Sequence, residues 1–310
     1  MRLNAPAKIN LHLRVGPRRD DGFHPLLTWM VTVGLFDTLE MKHIVGSPGG
    51  GWTDGSAAGL TLATDEPALP ADARNLVVRA AAALADTWAR RVGEGPLAKN
   101  PVSAFLNKRI PAGAGLGGGS ADAAATLIGL NRLWDAGLSA AELASIGATL
   151  GSDVPFFFHG PSSVCSGRGE VVRPIATPAH AKWALLVMPK LGISTASAYA
   201  TFDAMGLGDD QSVVNEPDWS AWVKLDASSL LHRLVNDLEP AAFAVAPTLG
   251  ELRTSLEEKL KRPVRMSGSG STLFTLYDTE PQAKQAARDL TIPDARVEVV
   301  EVAPKEQAPI

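Results

Sequence analysis

Every odd position from Leu3 to Val15 is apolar, while the even positions carry Asn4, Pro6, Lys8, Asn10, His12 and Arg14. A period of two predicts a strand with one face on a core and one polar face. Pro6 cannot donate to a ladder, which puts it at an edge or a bulge. The turn-rich stretch 17–22 leads through Phe23 and His24 to a second apolar run, Leu26–Leu35, so a hairpin is predicted. Residues 46–73, rich in Gly, Pro, Ser and Asp, read as surface loop around a short strand at Leu60–Thr64. Asn75–Trp88 has helical composition without a breaker, Val102–Ile110 reads as a strand, and Ala121–Trp134 as a long helix. Ser139 with Glu142 three residues on forms a capping box, and Gly151 is a stop for that helix.

Beyond about residue 175 the pattern changes. It predicts a strand at Lys182–Pro189, helices at Ser229–Phe243 and Leu249–Lys261, and strands at Val264–Ser267 and Thr272–Tyr277. A helix at Pro281–Leu290 and a strand at Arg296–Val302 follow. With the two middle helices as one layer element, the order is that of a ferredoxin-like split βαβ unit. Residues 204–220 read as loop, and the tail 304–310 as frayed. The expected organisation is α+β in two domains, residues 1–170 and 171–303.

Composition adds limits rather than chemistry. At 310 residues, 45% hydrophobic and 20% charged, the chain is an ordinary soluble globular one, long enough for two domains. A net charge of −4 disfavours nucleic acid or an anionic membrane as partner. Cys165 is the single cysteine, so no disulfide forms within the chain, and a reducing compartment fits. No apolar run spans a bilayer and the first residues lack a signal-peptide core, so the expected location is cytoplasmic. No His/Cys cluster has metal-ligand spacing, and the histidines at 12, 43, 159, 180 and 232 form no triad pattern.

The chemistry concentrates in PAGAGLGGGSADAA from Pro111. A P-loop would need a lysine where Gly119 stands. Gly113, Gly115 and Gly118 satisfy GxGxxG, but a dinucleotide unit then needs a strand ending in an acid, and a capped helix occupies that place. A loop using glycine only for tight packing stays open. The remaining reading is an anion nest at a helix N-terminus, with Ser120 capping the helix or turning to a phosphate or cation.

That motif resembles the phosphate-binding loop of the GHMP kinases, the superfamily of galactokinase, homoserine kinase and mevalonate kinase. PAKINLHLRVGPRRDDGFHPL at Pro6–Leu26, LGSDVPFFFHG at Leu150–Gly160 and RMSGSGSTLF at Arg265–Phe274 fall in order and extend the resemblance. The first of them is similar to the branch acting on a cytidine diphosphate methylerythritol. The resemblance implies a ribosomal-protein-S5-like N-terminal domain, a ferredoxin-like C-terminal domain, a site in the cleft between them, and Mg-ATP as cofactor. It implies Lys8 and Asp153 as catalytic residues, and residues 111–121 as the nucleotide cradle: Pro111, Ala112, Gly113, Ala114, Gly115, Leu116, Gly117, Gly118, Gly119, Ser120 and Ala121. Asn75 and Lys108 match positions near ATP. Asn10 falls to the acceptor hydroxyls, and Phe23, His24 and Tyr199 to the cytosine, with Phe23 standing where tyrosine is common. The run Gly268–Ser271 would brace the phosphate loop. From the residues alone, Lys8 is equally a solvated lysine, Asp153 a turn cap held by the following Val154-Pro155, Asn75 a helix cap, and Lys108 a surface lysine. Phe23 and Tyr199 also read as core packing. Metal ligands and oligomeric state are left unassigned.

Overall fold

A computed structural model describes residues 1–44, 59–92 and 101–305. The first half of the expected loop 46–73 and the tail beyond residue 305 lie outside the described residues. The predicted hairpin is β1 (Arg2–Val15) and β2 (Leu26–His43), antiparallel along their whole length. β2 runs past the expected Leu35 because Leu39 and Met41 continue the buried alternation, with Asp37 also buried. It forms the spine of the first sheet, order β3-β4-β2-β5-β6, with β1 paired to β2. The other members are β3 (Leu60–Thr64), β4 (Val102–Asn107), β5 (Ser162–Ser166) and β6 (Val171–Pro174). β6 pairs with β5, so the first sheet continues past residue 170 to Pro174.

β1 is bulged at Pro6/Ala7, as its proline requires. The bulge re-aims the odd positions. Leu3 and Ala5 pack on the helix layer, whereas Ala7, Ile9 and Leu11 enter a second core shared with the C-terminal sheet. The polar positions Lys8, Asn10 and His12 are buried too. They face inward rather than to solvent, a distinction that a period of two cannot make.

The helix layer comprises α1 (Leu76–Val92), α2 (Gly118–Leu133) and α3 (Ala140–Leu150), the last with the predicted Ser139–Glu142 capping box. The strand expected to reach Ile110 stops at Asn107. The amides of Lys108, Arg109 and Ile110 turn instead to the Asp65 and Asp37 carboxylates.

The second sheet holds β7 (Trp183–Pro189), β8 (Arg265–Met266), β9 (Leu273–Tyr277) and β10 (Ala295–Glu301) in the order β10-β7-β9-β8, all antiparallel. That is the expected ferredoxin-like arrangement. Between β7 and β8 lie α4 (Thr195–Ala204), α5 (Asp210–Val214), α6 (Trp219–Trp222), α7 (Ala227–Leu231), α8 (Glu239–Val245) and α9 (Pro247–Leu260), with α10 (Glu280–Arg288) before β10. Two sequence expectations need correction here. The loop 204–220 contains α5 and the start of α6, short turns capped by Asp209 and Asp218. The helix expected at 229–243 is two, α7 and α8, because Pro240 cannot sit in a helix interior and instead occupies the first turn of α8. The intervening chain bridges to β1, Leu13 N donating to Val235 O and Asp237 N to Leu13 O. The helix α4, which carries Tyr199, is capped by Ser194 and buries Ala198 and Phe202.

Candidate active site

The glycine run folds as an alternating nest. Gly113, Gly115 and Gly117 have φ of +69°, +77° and +68°, while Ala114 and Leu116 between them anchor in the second core. Such alternation turns successive N–H groups to one side, and the N-terminus of α2 adds its unpaired first-turn donors. Gly117 is the N-cap of α2, so the helix starts three residues earlier than expected and Ser120 lies inside its first turn, not at its cap. Ala121 sits behind the loop in the helix-layer core, away from the cavity.

Both domains fix this loop. Lys8 N donates to Leu116 O (2.9 Å), Thr272 N to Ala114 O (3.1 Å) and Ser267 Oγ to Gly115 O (2.9 Å). The brace expected of Gly268–Ser271 is thus made by the two residues that flank that run, Ser267 and Thr272. A Cβ on Gly115 would land on the Ser267 carbonyl oxygen at a backbone angle side chains avoid. Gly115→Ala is expected to push the loop off this brace and weaken ATP binding at least tenfold in calorimetric titration, a larger loss than at Gly113, where a Cβ meets open space.

Across the nest stands a buried polar chain from β1. Lys8 Nζ donates to Asn10 Oδ1 (2.5 Å) and lies 3.2 Å from Asp153 Oδ2. Asn10 Nδ2 donates to Thr28 Oγ1 (2.8 Å), which donates to His12 O (2.7 Å). Each link fixes the next, so the ammonium is aimed before any ligand arrives. Asp153 occupies the turn after α3, as its sequence context predicts. Val154, however, is helical (φ −61°, ψ −43°) despite Pro155, because it starts the 3-10 turn Pro155–Phe158 with the proline at the first position.

These groups meet in one cavity of 450 Å³. Its wall holds Lys8, Asn10, Asp153, Tyr199 and the whole of Pro111–Ser120. Burial, then the Asp153 charge, raises the Tyr199 phenol to about 12, so it is neutral. Thr28, Thr195 and Ser269 also line the wall; single threonines and serines carry no sequence signal that distinguishes them. Phe23 and His24 lie beyond it. His24 stacks 5.0 Å from Tyr199, with Nδ1 2.9 Å from Gly16 O and Nε2 3.2 Å from Asp203 Oδ1. Phe23 is 48% exposed rather than core.

Two residues expected near ATP have other engagements. Asn75 caps α1, its Oδ1 accepting from Val77 N and its Nδ2 donating to Pro70 O; the neighbouring Leu76 lines the cavity in its place. Lys108 is neither a surface lysine nor in the cavity. Its Nζ is buried between Asp37 Oδ2 (2.5 Å) and Asp122 Oδ2 (2.8 Å) beneath the loop. Asp37 Oδ1 also accepts the Arg109 and Ile110 amides, so this cluster pins the chain where it enters the nest. Burial acts to lower the Lys108 ammonium, but the Asp122 and Asp37 charges outweigh it and hold its pKa up. Burial raises Asp122 to about 7, with Lys108 opposing and Asp37 adding.

A family model described as the GHMP kinases N terminal domain matches residues 75–161, and one described as GHMP kinases C terminal matches residues 214–293. The chain belongs to the GHMP kinase family. As a GHMP kinase it is 36% identical over 283 residues to the 4-diphosphocytidyl-2-C-methyl-D-erythritol kinase of Shouchella clausii (strain KSM-K16), covering 91% of this chain and 88% of the relative. It is also 36% identical over 296 residues to the enzyme of that name from Geobacillus thermodenitrificans (strain NG80-2), covering 94% and 93%. A crystal structure of 4-(cytidine 5'-diphospho)-2C-methyl-D-erythritol kinase superposes with a TM-score of 0.73 at 32% identity, over 98% of this chain and 100% of that one. Homoserine kinase from Cytophaga hutchinsonii shares the fold at 16% identity, with a TM-score of 0.65 over 97% and 94% of the two chains. The GHMP kinase assignment makes the chain a small-molecule phosphotransferase of the two-domain α+β fold. No described helix is long and apolar enough to cross a membrane.

Proposed function

We propose that this GHMP kinase transfers the γ-phosphoryl group of ATP to the 2-hydroxyl of 4-diphosphocytidyl-2-C-methyl-D-erythritol, giving the 2-phosphate and ADP in non-mevalonate isoprenoid precursor synthesis. The observation that carries the reaction type is the Lys8–Asp153 pair, 3.2 Å apart and facing the glycine nest in one cavity. The acceptor rests on the two relatives and the solved enzyme of that name, each matched over most of both chains.

In this reading the nest and the first turn of α2 hold the phosphates. Asp153 accepts the hydroxyl proton as the acceptor oxygen bonds to the γ-phosphorus and the bond to the β,γ-bridging oxygen breaks. Lys8, oriented by Asn10, offsets the negative charge that gathers on the transferring group. Among the described residues no cluster of three or more His, Cys, Asp or Glu can hold a metal. Among the described residues Asp153 is the one carboxylate on the cavity wall, which fits Mg²⁺ carried in on the triphosphate. Bound there, the ion would neutralise phosphate charge.

A coupled ADP-release assay across acceptors tests the assignment. Turnover with the cytidyl alcohol should exceed that with homoserine, mevalonate or galactose by several orders of magnitude. Turnover with one of those and none with the cytidyl alcohol overturns it.

A further inference from the structure

Among the described residues the cavity lining carries two charged side chains, Lys8 and Asp153, and they face one another. ATP and a cytidyl diphosphate together bring two phosphate chains to it. Lys8 serves the transferring group, so the diphosphate of the acceptor lacks a partner on the wall.

A cation stands at the rim. Arg168 lies at the β5–β6 turn between Gly167 and Gly169. Gly169 lines the cavity beside Ser152, the neighbour of Asp153, and Gly167 O accepts from Leu26 N, which ties this turn to the start of β2. From there the Arg168 guanidinium stacks over the Phe23 ring, 3.9 Å from its centroid. Stacking fixes a guanidinium by its face and leaves the N–H groups at its edge free to donate. Its side-chain partner among the described residues, Asp21 Oδ2, is 3.4 Å away, with both side chains about half exposed (49% and 48%). An exposed, long ion pair of this kind is weak and exchangeable. Arg18 on the same hairpin donates through Nε to Gly22 O and lies 3.7 Å from Asp203 Oδ2, a pair at least as exchangeable.

We propose that Arg168, held flat on Phe23, binds the diphosphate of the acceptor and so measures the distance between its base and its reacting hydroxyl. The inference rests on the acceptor reading above. Arg168 lies against Phe23, the neighbour of His24, and its own neighbour Gly169 lines the cavity against Ser152, next to Asp153. A diphosphate joining a nucleoside to the reacting alcohol crosses that gap, and a fork of N–H donors matches its oxygens bidentately.

Binding of CDP and of cytidine to the wild type, Arg168→Ala and Arg168→Lys tests this, alongside turnover. Arg168→Ala should weaken CDP, and raise the acceptor KM, by about 10- to 100-fold, the range of hydrogen bonds to charged groups. Cytidine binding and the ATP KM should change less than about twofold, and Arg168→Lys should fall between. Equal losses for CDP and cytidine would mean that the guanidinium only props Phe23, and unchanged CDP binding would mean that it takes no part; either overturns the proposal while leaving the acceptor reading intact. A wild-type protein that binds neither CDP nor cytidine overturns both.

Discussion

Asp153→Asn should lower kcat by about 10²–10⁴ while ATP affinity stays within a few-fold, the range of a lost general base. The carboxamide keeps the shape of the side chain at the turn after α3 but cannot take the hydroxyl proton. Lys8→Met should lower kcat comparably, because the thioether keeps the stem that packs beneath Gly117 and removes the charge beside Asp153. Steady-state turnover with separate nucleotide titration separates chemistry from binding. Rates within threefold of wild type for both variants would mean that the 3.2 Å pair is an ion pair and nothing more. The double variant should lose far less than the product of the two single losses, since groups acting as one unit are not additive.

Lys108→Met should cost about 3–5 kcal/mol of folding stability, the range seen when one partner of a buried ion pair is removed. The loss leaves Asp37 and Asp122 facing each other without their cation, beneath the loop that Asp37 also holds by two amides. The denaturation midpoint should fall at unchanged slope. A fall under 1 kcal/mol would mean that the cluster relaxes freely. Asp122 gives this network a pH signature. Its carboxyl is raised in the fold from 3.8 to about 7, so the native chain holds a proton that the unfolded chain sheds as pH rises past 3.8. Its stabilising contribution is whole below that value and is lost as pH rises to about 7. Asp122→Asn removes this titration, so the variant should lose less stability than wild type between pH 5 and 8. It should also recover part of the Lys108→Met loss. Parallel pH curves for wild type and Asp122→Asn would sink the account.

Much of the site was legible because its chemistry is written in short local runs. Glycine at alternate positions, a proline at a bulge and a capping box each act within a few residues, so the nest, the β1 bulge and the start of α3 are where the pattern puts them. Lys108 shows where locality ends. Its neighbours in sequence read as the end of a strand with an exposed lysine, and what buries it is Asp37 on β2, 71 residues away, and Asp122 on α2. Asn75 went the other way, its side chain meeting the local needs of a helix terminus.

The sequence by itself determined the family, through the resemblance of its motifs, and also the phosphate nest and the strand that carries Lys8 and Asn10, since those two depend on backbone preference and periodicity. Tertiary structure alone decided which polar positions of that strand are buried, that Asp153 stands against Lys8, and that the loop hangs from Ser267 and Thr272 of the other domain. It also set Arg168 on Phe23 at the rim. The physical reason is that a period of two separates two faces of a strand but does not say what covers either. Here Lys8 is covered by the nest and Asp153, Asn10 by Thr28 and Ser267, and His12 by Trp219 and Trp222, and the active-site charges are paired across more than a hundred residues of sequence.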